Sequence, residues 1–312
     1  METARPMKTE SDSPWLHRFA ILTALATFLL LTAGAMVTTT NSGDSVPDWW
    51  FVPISFGTLL PPMVGEVFYE HGHRLIASTV GILTIVLAVW LHRAESQTWL
   101  KKLGYLAVAA VVLQGILGGL RVLQAEQPFL RPFFSIFHAC LAQAFFCLTI
   151  AISIFTSRFW RKDSEAKENR SMLPAMAPIT TAAIYLQVVF GAVMRHTGAW
   201  LMAHIGLAIV VSLLVFATCF VASSRHAAAP QLHLPALGML CVLIAQVALG
   251  IGTYYLLVKG FERNIGAALV HLVVISGHLV VGAALLASSL ILTLVSHRLI
   301  QGPQASLSIA AQ

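Results

Sequence analysis

The sequence predicts an all-α, polytopic membrane protein whose eight transmembrane helices form two pseudo-symmetric four-helix bundles. Three observations carry that expectation. Hydrophobic residues make up 57% of the 312 residues and charged residues only 10%, with a mean hydropathy of +0.80, which is more apolar surface than a soluble core could hide. Eight apolar stretches, at 18–40, 73–92, 103–123, 134–157, 173–195, 201–223, 234–257 and 267–296, are each long enough to cross a bilayer at about 20 residues per crossing. A recurring motif with an accompanying histidine divides the eight into two sets of four.

The stretches can be justified in order. The first opens at Arg18 and runs through Gly34-Ala35-Met36-Val37 and a threonine turn toward Gly43. The second begins at His73 and stops before Arg93, and the third follows Lys101 and Lys102 and contains Gln114…Gly118. The fourth follows Arg131, carries His138 and ends at Arg158. The fifth contains Gln187…Gly191, and its Gly191-Ala192-Val193-Met194 echoes the first stretch before a second threonine turn reaches Gly198. The sixth carries His204 and stops before Arg225, the seventh contains Gln246…Gly250, and the eighth carries His271 and His278 ahead of Arg298. Gln-x-x-x-Gly thus recurs in the third, fifth and seventh stretches, with Gly34 in the glycine's place in the first. A duplication of four helices follows, and small residues spaced four apart read mainly as sites of close helix packing.

Basic residues orient the chain, because cytoplasmic ends retain Lys and Arg. Arg5, Lys8, Arg18, Arg93, Lys101, Lys102, Arg158, Arg161, Lys162, Lys167, Arg170, Arg225 and Arg298 lie on one side, 13 of the 19. Arg74, Arg121, Arg131, Arg195, Lys259 and Arg263 lie on the other. Both termini are therefore expected in the cytoplasm, and topology accounts for the net charge of +6 without a nucleic-acid partner. Ala33-Gly34-Ala35 offers small residues of the kind found at signal cleavage sites, but the run spans, and an even number of helices fits the charge alternation only if it is kept. Cys140, Cys147, Cys219 and Cys241 all fall within stretches and form no CxxC pair, so they read as small apolar residues. The resulting division is a cytoplasmic tail at 1–17, a first half at 18–157, a cytoplasmic linker at 158–172, a second half at 173–296 and a cytoplasmic tail at 297–312.

Chemistry enters with the histidines. His73, His138, His204 and His278 precede Arg93, Arg158, Arg225 and Arg298 by 20, 20, 21 and 20 residues, or about 30 Å of helix, the thickness of the hydrocarbon core. All four imidazoles are therefore expected at one depth, two in each half. Any one of them could simply hydrogen-bond to a neighbouring helix. Four at one depth fit two axial ligand pairs for haem iron, held between facing helices. A zinc or copper site would gather its ligands in one place, with carboxylate or thiolate among them, and no such cluster is evident. His271 competes with His278 on nearly the same face but lies two turns nearer the outside. His71 should point away from His73. His196 ends the fifth stretch and reads as an outer-loop residue, and His17, His92, His226, His233 and His297 as solvated cytoplasmic ends. On the outer side, Arg74, Arg121, Arg131 and Arg195 could pair with haem propionates or merely be solvated at the interface. Glu70, three residues before His73, could handle protons beside a haem-sized pocket, or could be a helix-start carboxylate favoured by the dipole.

Together these residues resemble the haem A synthase family, which oxidises a methyl group of haem O to the formyl group of haem A. Gly34-Ala35-Met36-Val37-Thr38-Thr39-Thr40-Asn41-Ser42-Gly43 followed by Pro47-Asp48-Trp49 is similar to the family's V-x-x-T-x-S-G and P-D-W segment. Glu70-His71-Gly72-His73-Arg74 is similar to its E-x-x-H-R motif, and His138, His204 and His278 fall where its other ligands lie. Many bacterial members carry a cysteine pair in the first outer loop. Here Val46 precedes Pro47 and Trp50 follows Trp49 in place of a proline, which rules out cysteine redox chemistry in that loop. The resemblance implies a resident haem b between His204 and His278, haem O as substrate between His73 and His138, and Glu70 as the catalytic carboxylate. It also implies haem O synthase (protohaem farnesyltransferase) and terminal oxidase assembly as partners, a bacterial plasma membrane setting, and compatibility with a homo-oligomer. Two other classes fit parts of the pattern. A di-haem b electron-transfer subunit would want its haems near opposite faces, and a haem carrier or transporter would leave Glu70 without a task.

Overall fold

A computed structural model describes residues 14–46, 53–161, 171–257 and 265–301. Among these residues, eight helices are long and apolar enough to cross a membrane. They are α1 (Pro14–Thr40), α2 (Gly65–Ala94), α3 (Thr98–Leu123), α4 (Leu130–Phe155), α5 (Leu173–Thr197), α6 (Leu201–Arg225), α7 (Pro230–Leu257) and α8 (Ile265–Ser296). A single turn at Arg158–Arg161 follows α4, and a wide π turn at His297–Gln301 follows α8. The protein is an all-helical integral membrane protein.

The helix ends show why these segments start and stop where they do. Pro174 sits in the first turn of α5, where its missing N–H costs nothing. That helix ends at Gly198, which takes the left-handed conformation at φ 72°. At the equivalent end of α1 the left-handed residue is Asn41, at φ 56°, a side chain that tolerates this region better than most. Glu95 accepts hydrogen bonds from the backbone N–H groups of Ser96 and Gln97 at 2.9 and 3.1 Å, so the turn into α3 is held by a carboxylate. The main departure from the sequence expectation is α2, which begins at Gly65 rather than 73. Its first two turns are too polar for a hydropathy pattern to mark, yet Glu66 lies in the first turn and Glu70 pairs with Arg74 one turn on.

Each helix packs beside its neighbours in the chain, α1 also against α4 and α5 also against α8, so two rings of four close on themselves. The rings meet through α1 against α8, α4 against α5 and α4 against α8, an adjacency compatible with a pseudo-twofold relation. Leu16, Val80, Leu87, Leu100 and Phe145 are among the core residues of the first ring, and Ile184, Val215, Met239, Leu286 and Leu292 of the second. A third cluster, Ala24, Phe146, Ile150 and Ala283, lies between the rings. The outer surface is apolar in turn. On α6, Ile205, Ile209, Leu213, Phe216 and Phe220 repeat at helical spacing and are all exposed, as a lipid-facing stripe requires. Many threonine hydroxyls inside the helices donate to carbonyls one turn back, such as Thr23 to Phe19 and Thr27 to Thr23, which satisfies them in a dry setting.

Candidate functional site

The four histidines sit one per even helix, and each imidazole lies against a glycine of the odd helix before it. A Cβ built on Gly34, Gly118, Gly191 or Gly250 would stand 3.2, 3.4, 3.1 or 3.0 Å from Cε1 of His73, His138, His204 or His278. These glycines lie five to seven residues from the ends of α1, α3, α5 and α7, at Thr40, Leu123, Thr197 and Leu257. The four rings therefore share a level near one end of the protein, the end that carries the 41–64 connection. The Gln-x-x-x-Gly repeat, read from sequence as helix packing, instead frames histidine rings at all three of its copies.

In the second ring, the imidazoles of His204 and His278 face each other with centroids 6.4 Å apart and planes at 83°. It is His278 rather than His271 that meets His204. Two imidazoles bonded to one metal at about 2.0 Å each, with about 1.1 Å from nitrogen to ring centre, have centres roughly 6 Å apart, so the pair fits an iron between its rings. In the first ring, His73 and His138 are near enough to interact electrostatically. The Nδ1 atoms of both are buried and fall short of hydrogen-bond geometry. Glutamine amides hold two of the histidine helices: Gln114 donates to the His138 carbonyl at 3.0 Å and Gln187 to the His204 carbonyl at 2.9 Å. Among the described residues no group of three or more His, Cys, Asp or Glu could hold a metal ion. The donor set is paired imidazole, the kind that leaves the remaining iron positions to a porphyrin.

Glu70 is buried at 4% exposure in the second turn of α2, not at its start. Its Oε2 accepts from the Ser45 hydroxyl and the Val46 N–H, both at 2.9 Å, and its Oε1 from Arg74 at 2.7 Å. Arg74 also donates to the Val46 carbonyl at 3.0 Å, so the pair fastens the loop after α1 onto α2. The other three arginines expected on the outer side also have protein partners. Arg121 donates to the Gly43 carbonyl at 3.1 Å, in the space a Cβ on residue 43 would fill, and lies 3.9 Å from Asp44. Arg131 pairs with the same Asp44, and Arg195 donates to the Thr38 carbonyl at 2.7 Å, tying α5 to α1. Interfacial solvation alone therefore describes none of them.

Several residues were placed differently by the sequence. His196 belongs to the last turn of α5 and lies within electrostatic reach of Arg121, Arg131, Arg195 and His138, not in a loop. His71, by contrast, points away from His73 as expected: it is fully buried and turned to the 53–60 loop, within 2.7 Å of the Ser55 hydroxyl and 2.9 Å of the Leu59 carbonyl. His17 and His226 are not merely solvated: they meet the Ser153 carbonyl and the Ser171 hydroxyl at 2.9 and 2.8 Å. Of the cysteines, Cys219 is buried while Cys241 is exposed on the apolar outer surface. Asp44 and Ser45 were missed because nothing in their spacing announces the arginines and the carboxylate that reach them. Pro47-Asp48-Trp49, Trp50 and the basic residues Lys162, Lys167, Arg170, Lys259 and Arg263 lie outside the described residues, as do the tails before 14 and after 301.

The architecture defines a class: an integral membrane protein of two closed four-helix rings, each presenting two histidines at a common level. The family described as cytochrome oxidase assembly protein (COX15-CtaA) matches residues 63–206, which include Glu70, His73, His138 and His204. The haem A synthase of Shouchella clausii is 29% identical over 193 residues, covering 60% of this chain and 61% of that protein. The haem A synthase of Symbiobacterium thermophilum is 29% identical over 189 residues, covering 59% and 60%. The one from Bacillus licheniformis is 26% identical over 294 residues, covering 84% of this chain and 91% of that protein. The match thus spans about three fifths of the first two relatives' length. Over these residues the chain is similar to the cytochrome oxidase assembly (COX15-CtaA) family and to bacterial haem A synthases.

Proposed function

We propose that this protein makes haem A from haem O, oxidising the C8 methyl group through an alcohol to the formyl group. The net change is a gain of one oxygen at the level of water with loss of four protons and four electrons, the electrons passing to an external acceptor. The observation that carries the reading is the set of four glycine-backed histidines at one level, with one pair already spaced for an iron. His204 and His278 would hold a resident haem b, and His73 and His138 the substrate haem O. Bound haem iron supplies one-electron chemistry, and the chain's own residues supply position, dryness and proton handling.

Glu70 is the proton-handling group in this reading. Oxidising a methyl carbon releases protons into a site that water reaches poorly, so a carboxylate within the first ring has a use. A proton taken at Oε1 displaces Arg74, and Arg74 keeps the Val46 carbonyl as an acceptor, so the guanidinium is not stranded when Glu70 is neutral. Arg121 and Arg131 stand beside this ring and could exchange Asp44 for haem propionates. The first and second halves, 18–157 and 173–296, act as substrate and resident sites respectively. Haem O synthase and the assembly of terminal oxidases are the partners this activity calls for, in a bacterial plasma membrane with both termini cytoplasmic and the histidine level toward the outer face.

The test is pigment analysis. Co-expression with a haem O-producing enzyme is expected to yield haem A, and the purified protein is expected to carry haem b. Haem O alone, with no formyl product in intact cells, would sink the assignment and favour a carrier.

A further inference from the structure

We propose that Gly34, Gly118, Gly191 and Gly250 are positioning residues for the four histidines, setting both the ring placement and the nitrogen each ring has free for iron. The inference rests on the haem-ligand reading above. In all four cases the atom nearest to the missing Cβ is Cε1, the ring carbon between the two nitrogens. Ordinary close packing looks different. Gly104 faces the Leu91 side chain and the Ala88 backbone, while Gly206 and Gly238 face open space.

Helix geometry explains why a glycine is needed at these positions. The N–H of a helical residue bonds to the carbonyl four residues earlier, here Leu30, Gln114, Gln187 or Gln246. That oxygen has a second lone pair, which a side chain on the later residue would cover and a glycine leaves open. His278 Nδ1 lies 3.3 Å from the Gln246 carbonyl. The rings of His73, His138 and His204 lie likewise toward the carbonyls of Leu30, Gln114 and Gln187, with Nδ1 of His73 and His138 short of hydrogen-bond geometry. An imidazole whose Nδ1–H is engaged by a carbonyl has Nε2 unprotonated and available, the arrangement that fixes tautomer and orientation in ligating histidines. At His204 the Gln187 amide nitrogen also approaches Nδ1 at 3.1 Å, so the tautomer there is set by the choice between two Gln187 groups. One glycine therefore does two things: it makes room for the ring and it uncovers the oxygen that orients it.

Alanine at these positions would push each ring by a few tenths of an ångström and cover the oxygen. The test uses full-length protein purified with its haem, comparing Gly191→Ala and Gly250→Ala with Gly206→Ala and Gly238→Ala. The readouts are haem content, helicity, and the low-spin signal in optical and electron paramagnetic resonance spectra. The two seat variants are expected to remain helical, to lose haem about tenfold more readily, and to show a high-spin fraction that added imidazole returns to low spin. A merely structural glycine would not produce that rescue. The control variants are expected to match the parent. Parent-like spectra and haem retention in both seat variants would overturn the proposal. If Gly250→Ala does not accumulate, Gly191→Ala carries the same test. His204→Ala is measured alongside: if it too keeps the low-spin signal, the ligand assignment has failed, whereas loss in His204→Ala with parent-like seat variants means that the seat proposal alone has failed.

Discussion

Glu70 accepts three hydrogen bonds before any substrate arrives, from Ser45, Val46 and Arg74, so its substitution tests two roles at once. Glu70→Gln keeps the size and one acceptor but removes the titrating oxygen. Haem binding is expected to survive while haem A formation falls at least tenfold and haem O accumulates, read by pigment extraction from co-expressing cells. Near-normal haem A would leave Glu70 with the loop-fastening role alone. A second outcome concerns ligand choice. His204→Ala or His278→Ala is expected to abolish the low-spin haem b spectrum and His271→Ala to leave it largely intact, because it is His278 whose ring faces His204. Equal loss in His271→Ala would undo the pairing. At this scale the sequence was partly legible. The histidines stood out by depth, but the partners of Glu70 and of Arg121, Arg131 and Arg195 did not. Those partners are mostly carbonyls and short polar side chains of one loop, and nothing in the spacing of a loop tells which cation will reach it.

Among the elements, the eight spans were readable because twenty apolar residues in a row admit few other structures. Their ends were less so. The first three turns of α2 carry Glu66, Glu70, His71 and His73, and a hydropathy pattern stops where those polar residues begin. The glycines were legible as a repeat and were misread as packing sites, since spacing reports which residues share a face and not what faces them. The turn between α2 and α3 makes its own prediction. Glu95 is nearly sealed from solvent, holds the turn before α3 and pairs with Arg161 at 2.6 Å. Glu95→Ala leaves that guanidinium and two backbone N–H groups without the carboxylate, and is expected to lower stability by about 3 kcal/mol. Thermal unfolding in detergent should show the drop, while Glu126→Ala, at an exposed position, should not.

For the whole molecule, each ring has its own core and its own pair of histidines. His73→Ala and His138→Ala are therefore expected to stop haem A formation while the resident haem b stays in place, measured as haem content per protein. Loss of all haem from either variant would mean that the rings do not bind separately. The rings are nonetheless tied at the histidine end, by Arg195 to Thr38 and by Ser276 to Thr39 at 3.0 Å, and deeper by Tyr185 to the Cys140 carbonyl at 3.1 Å. An echo between the two halves was legible in the sequence; these ties were not, because they join residues more than forty positions apart through hydroxyl, guanidinium and backbone groups that recur throughout the chain.

The common level of the four glycine seats has one more consequence, an energetic one. A charge crossing a membrane gains or loses about 2.3 kcal/mol for each 100 mV it traverses. Electrons exchanged between two sites at the same depth travel along the plane of the bilayer and traverse almost none of that voltage. In proteoliposomes carrying protein with haem bound at both histidine pairs, the distribution of electrons between the two sites is therefore expected to be the same with and without an imposed potential.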